Sequence, residues 1–366
     1  MANTTKGKLF YAEAVKGYTL KVMIDSLALT MSRTVFRATK KGFYHRNTDE
    51  AEQILFDVSF SRRNFRPYVC REELTFSLNL KHLQKMVRNV KKKDSIIMFV
   101  SKKIPDKLAL AIRPCGSTSG HNSRLETVYI TITRIEEPEQ PLSLPEVYVD
   151  EDGNEVEVYS YPKVIDAADF QKMKKMTTVG KTVLVEMQRN SYISFYSDNG
   201  ELYSSRLEFG EILDNPESDG ENEADDYSED EANSVEVETD EEESEGSEEE
   251  EPEESEEEDE VEGSDEEEDY SEDDEDEEIK GWYEAEFNMN VFGLLMKLPG
   301  LCTQMQFYAP KIERYPLKIG MQAGTLGEIT VYIKDKKQVA IEQTQREQLQ
   351  AEGISNTKST TRRGKR

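Results

Sequence analysis

Six segments alternate apolar and polar residues with the two-residue period of a β-strand. These segments are QILFDVSF, TVYITITRI, TVLVEM, YISFYS, YPLKIGM and EITVYIK. Four others carry apolar residues at helical spacing, namely GYTLKVMIDSLALTM, NLKHLQKMVRNVKK, DAADFQKMKKMTTV and NVFGLLMKLP. Strands outnumber helices and often follow one another directly. This pattern predicts an α+β fold of antiparallel sheets with helices packed on one face.

The apolar pattern occurs twice along the chain. Residues 10–60 overlay on residues 159–209 without a gap, and apolar type is kept although identity is low. A second overlay places Asn79 on Asn290, with the apolar residues around them also matched. We therefore predict two copies of one unit, joined near residues 134–158.

Charge is divided very unevenly along the chain. The formal net charge is -30, yet 41 of the 76 acidic residues lie between 214 and 278, where there is no Lys or Arg. The rest of the chain has 35 acidic and 46 basic residues. So acidic a segment has too little apolar surface to offset its ordering entropy, and residues 214–279 are predicted to be a disordered insert. The body that remains is basic.

Few residues suggest a catalytic or metal-binding site. Cys70, Cys115 and Cys302 have no metal-ligand spacing and fit a reducing compartment. The histidines lack metal spacing, and the Gly-Lys-Thr within TTVGKTVL lacks the upstream glycine of a phosphate loop. No signal peptide or membrane span is predicted. We predict a non-enzymatic intracellular protein with no cofactor and no metal site.

The segment NLKHLQKMVRNVKKKD is strongly basic within this acidic chain. On a helix, Lys81, Lys85, Arg88 and Lys92 form one stripe, and apolar residues occupy the opposite side. Residues 79–93 contain no Asp or Glu that could pair with these cations. An ordinary solvated face is one interpretation. A surface that faces a polyanion, contacted through phosphates without sequence reading, is favoured.

Several stretches resemble eukaryotic-type DNA sliding clamps, the proliferating cell nuclear antigen family. GFYHRNTDEAEQILFDVSF is similar to the strand, loop and strand after the family's first helix. LSLPEVY resembles its interdomain connector, and YPLKIGMQAGTLGEITVYIK resembles its closing hairpin. The loop and the residues after VYI differ from the family, notably at Thr48, Glu52, Lys334 and Asp335. Together with the long insert, these differences suggest a divergent clamp, from a large DNA virus or a protist.

The resemblance implies a ring, usually of three identical subunits, whose helices line a channel around double-stranded DNA. Each subunit would have two clamp domains with outer antiparallel sheets and two helices each. The ring would tether a DNA polymerase and be opened by a clamp loader, in the nucleus or a viral replication compartment. Ring closure would pair the segments ETVYITITRI and ELYSSRLEF of neighbouring subunits. The implied channel cations are Lys21, Lys81, Lys85, Arg88, Lys92, Lys172, Lys175, Lys181 and Lys297.

Partners would bind in a groove beneath the connector. The residues implied there are Thr48, Glu52, Leu142, Leu144, Tyr148, Pro316, Tyr332 and Ile333. The predicted domain limits are 1–134 and 159–341, with the connector at 135–158 and a disordered basic tail at 342–366. Three alternatives stay open: an acidic histone-chaperone-like binding protein, a subunit of a heteromeric checkpoint-type clamp, and a viral processivity factor that acts as an open monomer or dimer.

Overall fold

The alternating segments form strands, and every pairing between them is antiparallel in the part of the chain that the structure describes. The structure is a computed structural model that describes residues 5–115, 127–136, 144–149, 153–188, 190–200, 203–212 and 282–351. The chain divides into two units, of which residues 214–280 form the second and lie outside the described residues. The α+β class is thereby confirmed.

Among the described residues, the first half of the chain contains ten short strands and two helices. Its strands are β1 Lys8–Ala14, β2 Arg33–Ala38, β3 Gly42–Thr48, β4 Ile54–Ser61, β5 Tyr68–Cys70, β6 Leu74–Asn79, β7 Ser95–Ser101, β8 Ile104–Arg113, β9 Thr127–Thr131 and β10 Thr133–Arg134. Its helices are α1 Gly17–Thr30 and α2 Leu80–Val87. A 3-10 turn, Arg62–Asn64, follows β4.

The second half follows a small connector hairpin. The connector strands are β11 Val147–Val149 and β12 Glu155–Glu157. The later strands are β13 Lys163–Asp166, β14 Thr182–Gln188, β15 Tyr192–Asp198, β16 Ser204–Gly210, β17 Trp282–Asn288, β18 Gln304–Tyr308, β19 Leu317–Ala323 and β20 Gly327–Ile333. Its helices are α3 Ala167–Phe170, α4 Met289–Leu295 and α5 Lys336–Ala351.

Strand order relates the two halves. In the first half one run of adjacent strands has the order β1-β7-β8-β9, and another has the order β6-β2-β3-β4. In the second half the corresponding orders are β13-β18-β19-β20 and β17-β14-β15-β16. The pairing of β4 with β20 joins sheets from both halves into one of nine strands. Large buried aromatic residues, including Phe36, Phe60, Phe195 and Phe307, fill the core between sheets and helices.

Helix α2 is shorter than predicted. It ends at Val87 because the chain turns to bury Val90, whose N–H donates to the carbonyl of Val87. The Asp94 carboxylate then accepts from the backbone N–H of Lys91 at 2.9 Å, which fixes the turn. Lys92 therefore lies beyond the helix, and the prediction that it extends the helical stripe is wrong.

The third predicted helix is also different. Only Ala167–Phe170 is α-helical, and residues Gln171–Thr178 form a 3-10 helix. The side-chain hydroxyls of Thr177 and Thr178 donate to carbonyls three residues earlier, at 2.8 and 2.9 Å, in competition with α-helical bonding. A 3-10 helix also places Met173 and Met176 on one buried face.

Helix α5 was not predicted. Asp335 caps it by accepting from the N–H of Gln338 at 2.7 Å, and the Gln338 side chain bonds back to the N–H of Asp335. The prediction of an unstructured tail from 342 is therefore wrong for 342–351, and the later tail lies outside the described residues. No described helix is long and apolar enough to cross a membrane.

The predicted strand TVYITITRI changes sheets in the structure. The chain passes from β9, which pairs with β8, to β10, which pairs with β6, and Ile132 stands between them. Ile132 is buried in the main core, so the change of partner keeps its side chain inside.

The second overlay of the two halves was displaced by two residues. Asn79 caps α2, and its structural counterpart is Asn288, which caps α4. Pairing confirms this, because Arg33 lies opposite Asn79 and Thr182 lies opposite Asn288. A slip of two residues preserves strand alternation, which is why the sequence pattern did not exclude it.

The corrected register predicts which asparagine stabilises α4. Asn288→Ala removes the acceptor for the N–H of Asn290 and should lower the free energy of unfolding by about 1 kcal/mol. Asn290→Ala changes an exposed side chain and serves as the matched control, with an expected effect within about 0.5 kcal/mol. Urea denaturation measures both. A larger loss for Asn290→Ala would contradict the register.

Candidate nucleic-acid interface and partner groove

The helices form a layer that packs on the sheets. Helix α1 contacts α2 on one side and, on the other, α4 with the 3-10 turn Leu298–Gly300. Gly300 approaches Val22 of α1 so closely that an added Cβ would lie 3.5 Å from its methyl carbon. Helix α4 in turn contacts the 3-10 helix of residues 171–178. Elements from both halves thus share one layer.

Helix α2 shows how the sequence places cations on the outer side of this layer. The Asn79 side chain accepts from the N–H of His82 at 3.0 Å and starts the helix. Leu80, Leu83 and Val87 are buried, so the remaining face is turned away from the core. Lys81, Lys85 and Arg88 are exposed on that face, as predicted for these three residues.

The other predicted cations occupy comparable positions. Lys172, Lys175, Lys181 and Lys297 are exposed, whereas Lys21 is half-buried with its ammonium 5.5 Å from the ring centroid of Tyr18. Lys172 of the 3-10 helix forms an ion pair with Asp169 of α3 at 2.7 Å, so its charge is partly neutralised by a residue three positions earlier. Lys92 is exposed in the turn after α2.

A carboxylate lies near one end of the α2 stripe. The Ser32 hydroxyl donates to Glu50 at 2.7 Å, and this contact lowers the pKa of Glu50, with a smaller contribution from Lys81. The N–H of Leu80 donates to the carbonyl of Ser32, so the first turn of α2, the last residues of α1 and the loop of Glu50 meet here.

A second hydrophobic cluster lies on the outer face of the nine-stranded sheet. Leu55 of β4 is opposite Tyr332 of β20, which is opposite Lys318 of β19. Val158 and Tyr159 of the connector are buried against these strands. Half-buried apolar side chains surround the cluster, namely Leu144, Tyr148, Tyr308, Ile312 and Tyr315. We call this cluster and its border the partner groove.

The structure separates the predicted groove residues. Tyr332, Leu144 and Tyr148 belong to the cluster, Thr48 lies opposite Leu55, and the Pro316 carbonyl accepts from the Tyr159 hydroxyl at 3.1 Å. Ile333 does not belong: as the next residue after Tyr332 on a strand, it points into the main core and is fully buried. Leu142 lies outside the described residues.

Several groove residues were missed, although Leu55 carried a signal. Leu55, like the predicted Tyr332, stands between two core residues, in the runs ILF and VYI, where simple alternation expects a polar residue. An apolar side chain on the outward position of paired strands indicates a second buried surface. Val158, Ile312 and Tyr315 lie in irregular segments, and their contacts depend on how the connector crosses the sheet.

Lys318 fixes the connector over the sheet. Its ammonium lies 5.2 Å from the ring centroid of Tyr159 and 5.0 Å from that of Tyr308. It also lies 3.7 Å from the Glu146 carboxylate. Burial raises the pKa of the Tyr159 hydroxyl, which stays protonated and donates to Pro316. The groove is therefore mainly apolar, with Lys318 at its side and the Arg46–Asp57 ion pair, joined at 2.8 Å, also near Tyr332.

Helix α5 borders this groove. The Gln338 side chain donates to the Tyr315 carbonyl at 2.7 Å, and the N–H of Lys334 donates to the Gln53 carbonyl at 3.0 Å. Arg346 forms an ion pair with Glu52, whose backbone has a left-handed φ of 55°. The described partner of Glu52 is thus α5, and its place in the groove stays a prediction.

The described side chains contain no group of three or more His, Cys, Asp or Glu positioned to hold a metal ion. The site offers instead a layer of exposed cations on one side and an apolar groove on the other. Such a combination suits a protein that contacts a polyanion and a peptide at separate surfaces.

Comparisons with known proteins give matches to proteins that are named as DNA polymerase sliding clamps. Residues 9–134 match the family described as proliferating cell nuclear antigen, N-terminal domain. A DNA polymerase sliding clamp of Cenarchaeum symbiosum (strain A) is 30% identical over 83 residues, which is 23% of this chain and 34% of that protein. DNA polymerase sliding clamp 1 of Pyrobaculum aerophilum is 34% identical over 76 residues, 21% of this chain and 30% of that protein.

A third relative, the DNA polymerase sliding clamp of Nitrosopumilus maritimus (strain SCM1), is 28% identical over 82 residues, 22% of this chain and 33% of that protein. The matched segments thus span about a third of the length of these curated relatives. These findings show similarity to the proliferating cell nuclear antigen and sliding clamp family over part of the chain, and they confirm the resemblance seen in the sequence.

Proposed function

We propose that the chain is a non-enzymatic DNA polymerase sliding clamp that assembles as a ring of three copies around double-stranded DNA. The observation that carries this proposal is the helix layer, whose outer side presents exposed cations from both halves of the chain. Phosphate contacts by such side chains are independent of sequence and easily exchanged. DNA held by enclosure and by mobile contacts can slide through the ring.

The strand order supports ring formation. Within one chain, β4 pairs with β20 over seven residues, from Gly327 opposite Phe60 to Ile333 opposite Ile54. By strand order β16 is the counterpart of β4, and β9 is the counterpart of β20. Both β9 and β16 lie at the end of their sheets among the described strands. Pairing of β9 with β16 of a second copy would therefore repeat the β4–β20 pairing that joins the two halves of one chain. The number of copies, three, is taken from the family resemblance.

The partner groove would receive short peptides of a polymerase and of other replication factors. The row of Leu55 and Tyr332 gives a buried floor, and Ile312 and Tyr315 give an apolar side. Peptide anchors that fill such a surface account for most of the binding energy at small interfaces. The domain limits 1–134 and 159–341, with the connector at 135–158, belong to the same proposal, as does opening by a clamp loader.

Charge reversal tests the DNA-facing surface. Lys81→Glu, Lys85→Glu and Arg88→Glu together place like charges against phosphate and should reduce processive synthesis on a primed circular template at least tenfold, with unchanged melting. Lys102→Glu, Lys103→Glu and Lys107→Glu make the same charge change at exposed positions of β8 and the turn before it, and serve as the control. Equal processivity of both variants would contradict the assignment.

The groove is tested on its outer row. Leu55→Ala and Tyr332→Ala should each weaken polymerase binding to the DNA-free chain about tenfold, because each removes part of the apolar floor. Tyr44→Ala is a matched control, since Tyr44 is half-buried on the same face of the sheet but outside the cluster. Surface plasmon resonance with a clamp-dependent polymerase measures the three affinities. Equal losses for all three variants would contradict the groove.

Solution mass and partner capture separate the alternatives. Three identical chains support the proposed ring, and a monomer or dimer supports the open processivity factor. A complex formed only with other chains supports the checkpoint-type clamp. Capture of histones that depends on residues 214–278, without any stimulation of a polymerase, supports the chaperone-like protein, whose basis is the 41 acidic residues there.

A further inference from the structure

A second basic surface lies beyond the end of α2. It consists of six exposed residues: Lys16, Arg62, Arg66, Lys91, Lys92 and Lys93. We call these six residues the rim band. They come from three separate segments, the residue before α1, the turn after β4 and the turn before β7. No ion pair to a described carboxylate is formed by any of the six.

Backbone hydrogen bonds bring the three segments together. The N–H of Gly17, next to Lys16, donates to the carbonyl of Asp94, next to Lys93, at 2.8 Å. The N–H of Arg66 donates to the carbonyl of Glu13 at 2.8 Å, three residues before Lys16. The backbone therefore holds the segments of Lys16, Arg66 and Lys93 near one another without any contribution from side chains. Arg62 lies four residues before Arg66, where its N–H donates to the carbonyl of Lys41 at 2.9 Å.

The nearby carboxylates are already occupied. Asp94 is 6% exposed, and its oxygens accept from the N–H groups of Lys91 at 2.9 Å and Cys115 at 3.3 Å. Glu13 is 7% exposed and forms an ion pair with Arg113. Since both acids bond within the body, the positive charge of the rim band faces solvent without a neutralising partner.

The band lies at a defined end of the helix layer. Helix α2 begins beside Ser32, after the end of α1 and close to the loop of Glu50. The chain after α2 reaches Asp94 beside Gly17, the first residue of α1. The exposed cations of α2 therefore extend toward the rim band, which lies at the end of the helices away from the loop of Glu50.

We propose that the rim band is a second contact surface for the phosphate backbone of double-stranded DNA, next to the mouth of the channel and opposite the partner groove. The proposal rests on the proposed clamp function, which places the duplex along the helix layer. All six side chains are Lys or Arg, exposed and without an ion pair to a described carboxylate. Val15, next to Lys16, is also exposed, but one valine beside six cations leaves the surface dominated by positive charge. DNA phosphates fit such a surface, since they need charge but no pocket.

The test compares two triple substitutions with equal charge change. The rim variant carries Lys91→Gln, Lys92→Gln and Lys93→Gln. The control carries Lys102→Gln, Lys103→Gln and Lys107→Gln, which lie at or near the turn that joins β7 to β8, at the other end of β7. Fluorescence anisotropy measures the association constant with linear duplex DNA at several salt concentrations. All six positions are exposed, and thermal melting checks the fold.

The rim variant should bind linear duplex about tenfold more weakly at low salt, with a shallower slope of log K against log salt, by about 0.9 for each lost phosphate contact. The control should stay within about twofold of the unchanged chain. Equal binding of linear duplex DNA by the two variants would overturn the proposal that the rim band contacts DNA.

Two further measurements distinguish DNA binding by the rim band from an effect of the acidic segment and from failure of the clamp function. The same variants are also made in a chain that lacks residues 214–280, which tests whether the acidic segment occupies the band. If the rim variant binds DNA more weakly than the control only in this shortened chain, the proposal that the band contacts DNA in the full chain is overturned. Primer extension tests the clamp separately. If the rim variant binds DNA more weakly but the unchanged chain gives no processive synthesis, the rim band is supported and the clamp function is contradicted. If the unchanged chain gives processive synthesis but the rim variant binds DNA as the control does, only the rim band is overturned.

Discussion

The pairing of β4 with β20 is the interaction on which the remaining structure depends. It continues one sheet across the two halves of the chain and keeps their helices in a single layer. It also places Leu55 opposite Tyr332, which creates the floor of the partner groove on the outer face of the sheet. A change at this junction would therefore alter the cationic layer and the groove together, although they lie on opposite faces.

The same pairing suggests what the edge strands β9 and β16 could do, since each is paired on one side only among the described strands. An exposed edge of backbone N–H and carbonyl groups is a template for another strand, and β9 and β16 provide two such edges in positions equivalent to those already joined within the chain. The charge distribution fits this arrangement, because most acidic residues are concentrated in one segment of the sequence and leave the remaining chain basic. The remaining chain therefore carries 46 basic against 35 acidic residues, although the whole chain has a net charge of -30.

Strand alternation and the spacing of apolar residues were enough to predict the α+β class, the strand character of the six alternating segments, and α1. They failed where tertiary packing decided the local conformation. Val90 ended α2 early, and the threonines at 177 and 178 converted most of α3's segment to a 3-10 helix. Helix α5 was missed because its stabilisation comes from a capping pair and contacts to distant residues, not from an apolar face.

The candidate site was also predicted only where local sequence spacing determines which way a side chain faces. Exposed cations on α2 could be predicted since helical spacing alone fixes their side, whereas Ile333 was assigned to the groove because family resemblance does not determine strand facing. One measurement tests the central claim that the chain holds DNA by enclosure. After loading onto closed circular DNA, protein should remain bound at salt concentrations that release it from linear DNA of the same sequence. Release from both DNA forms at the same salt concentration would contradict the ring.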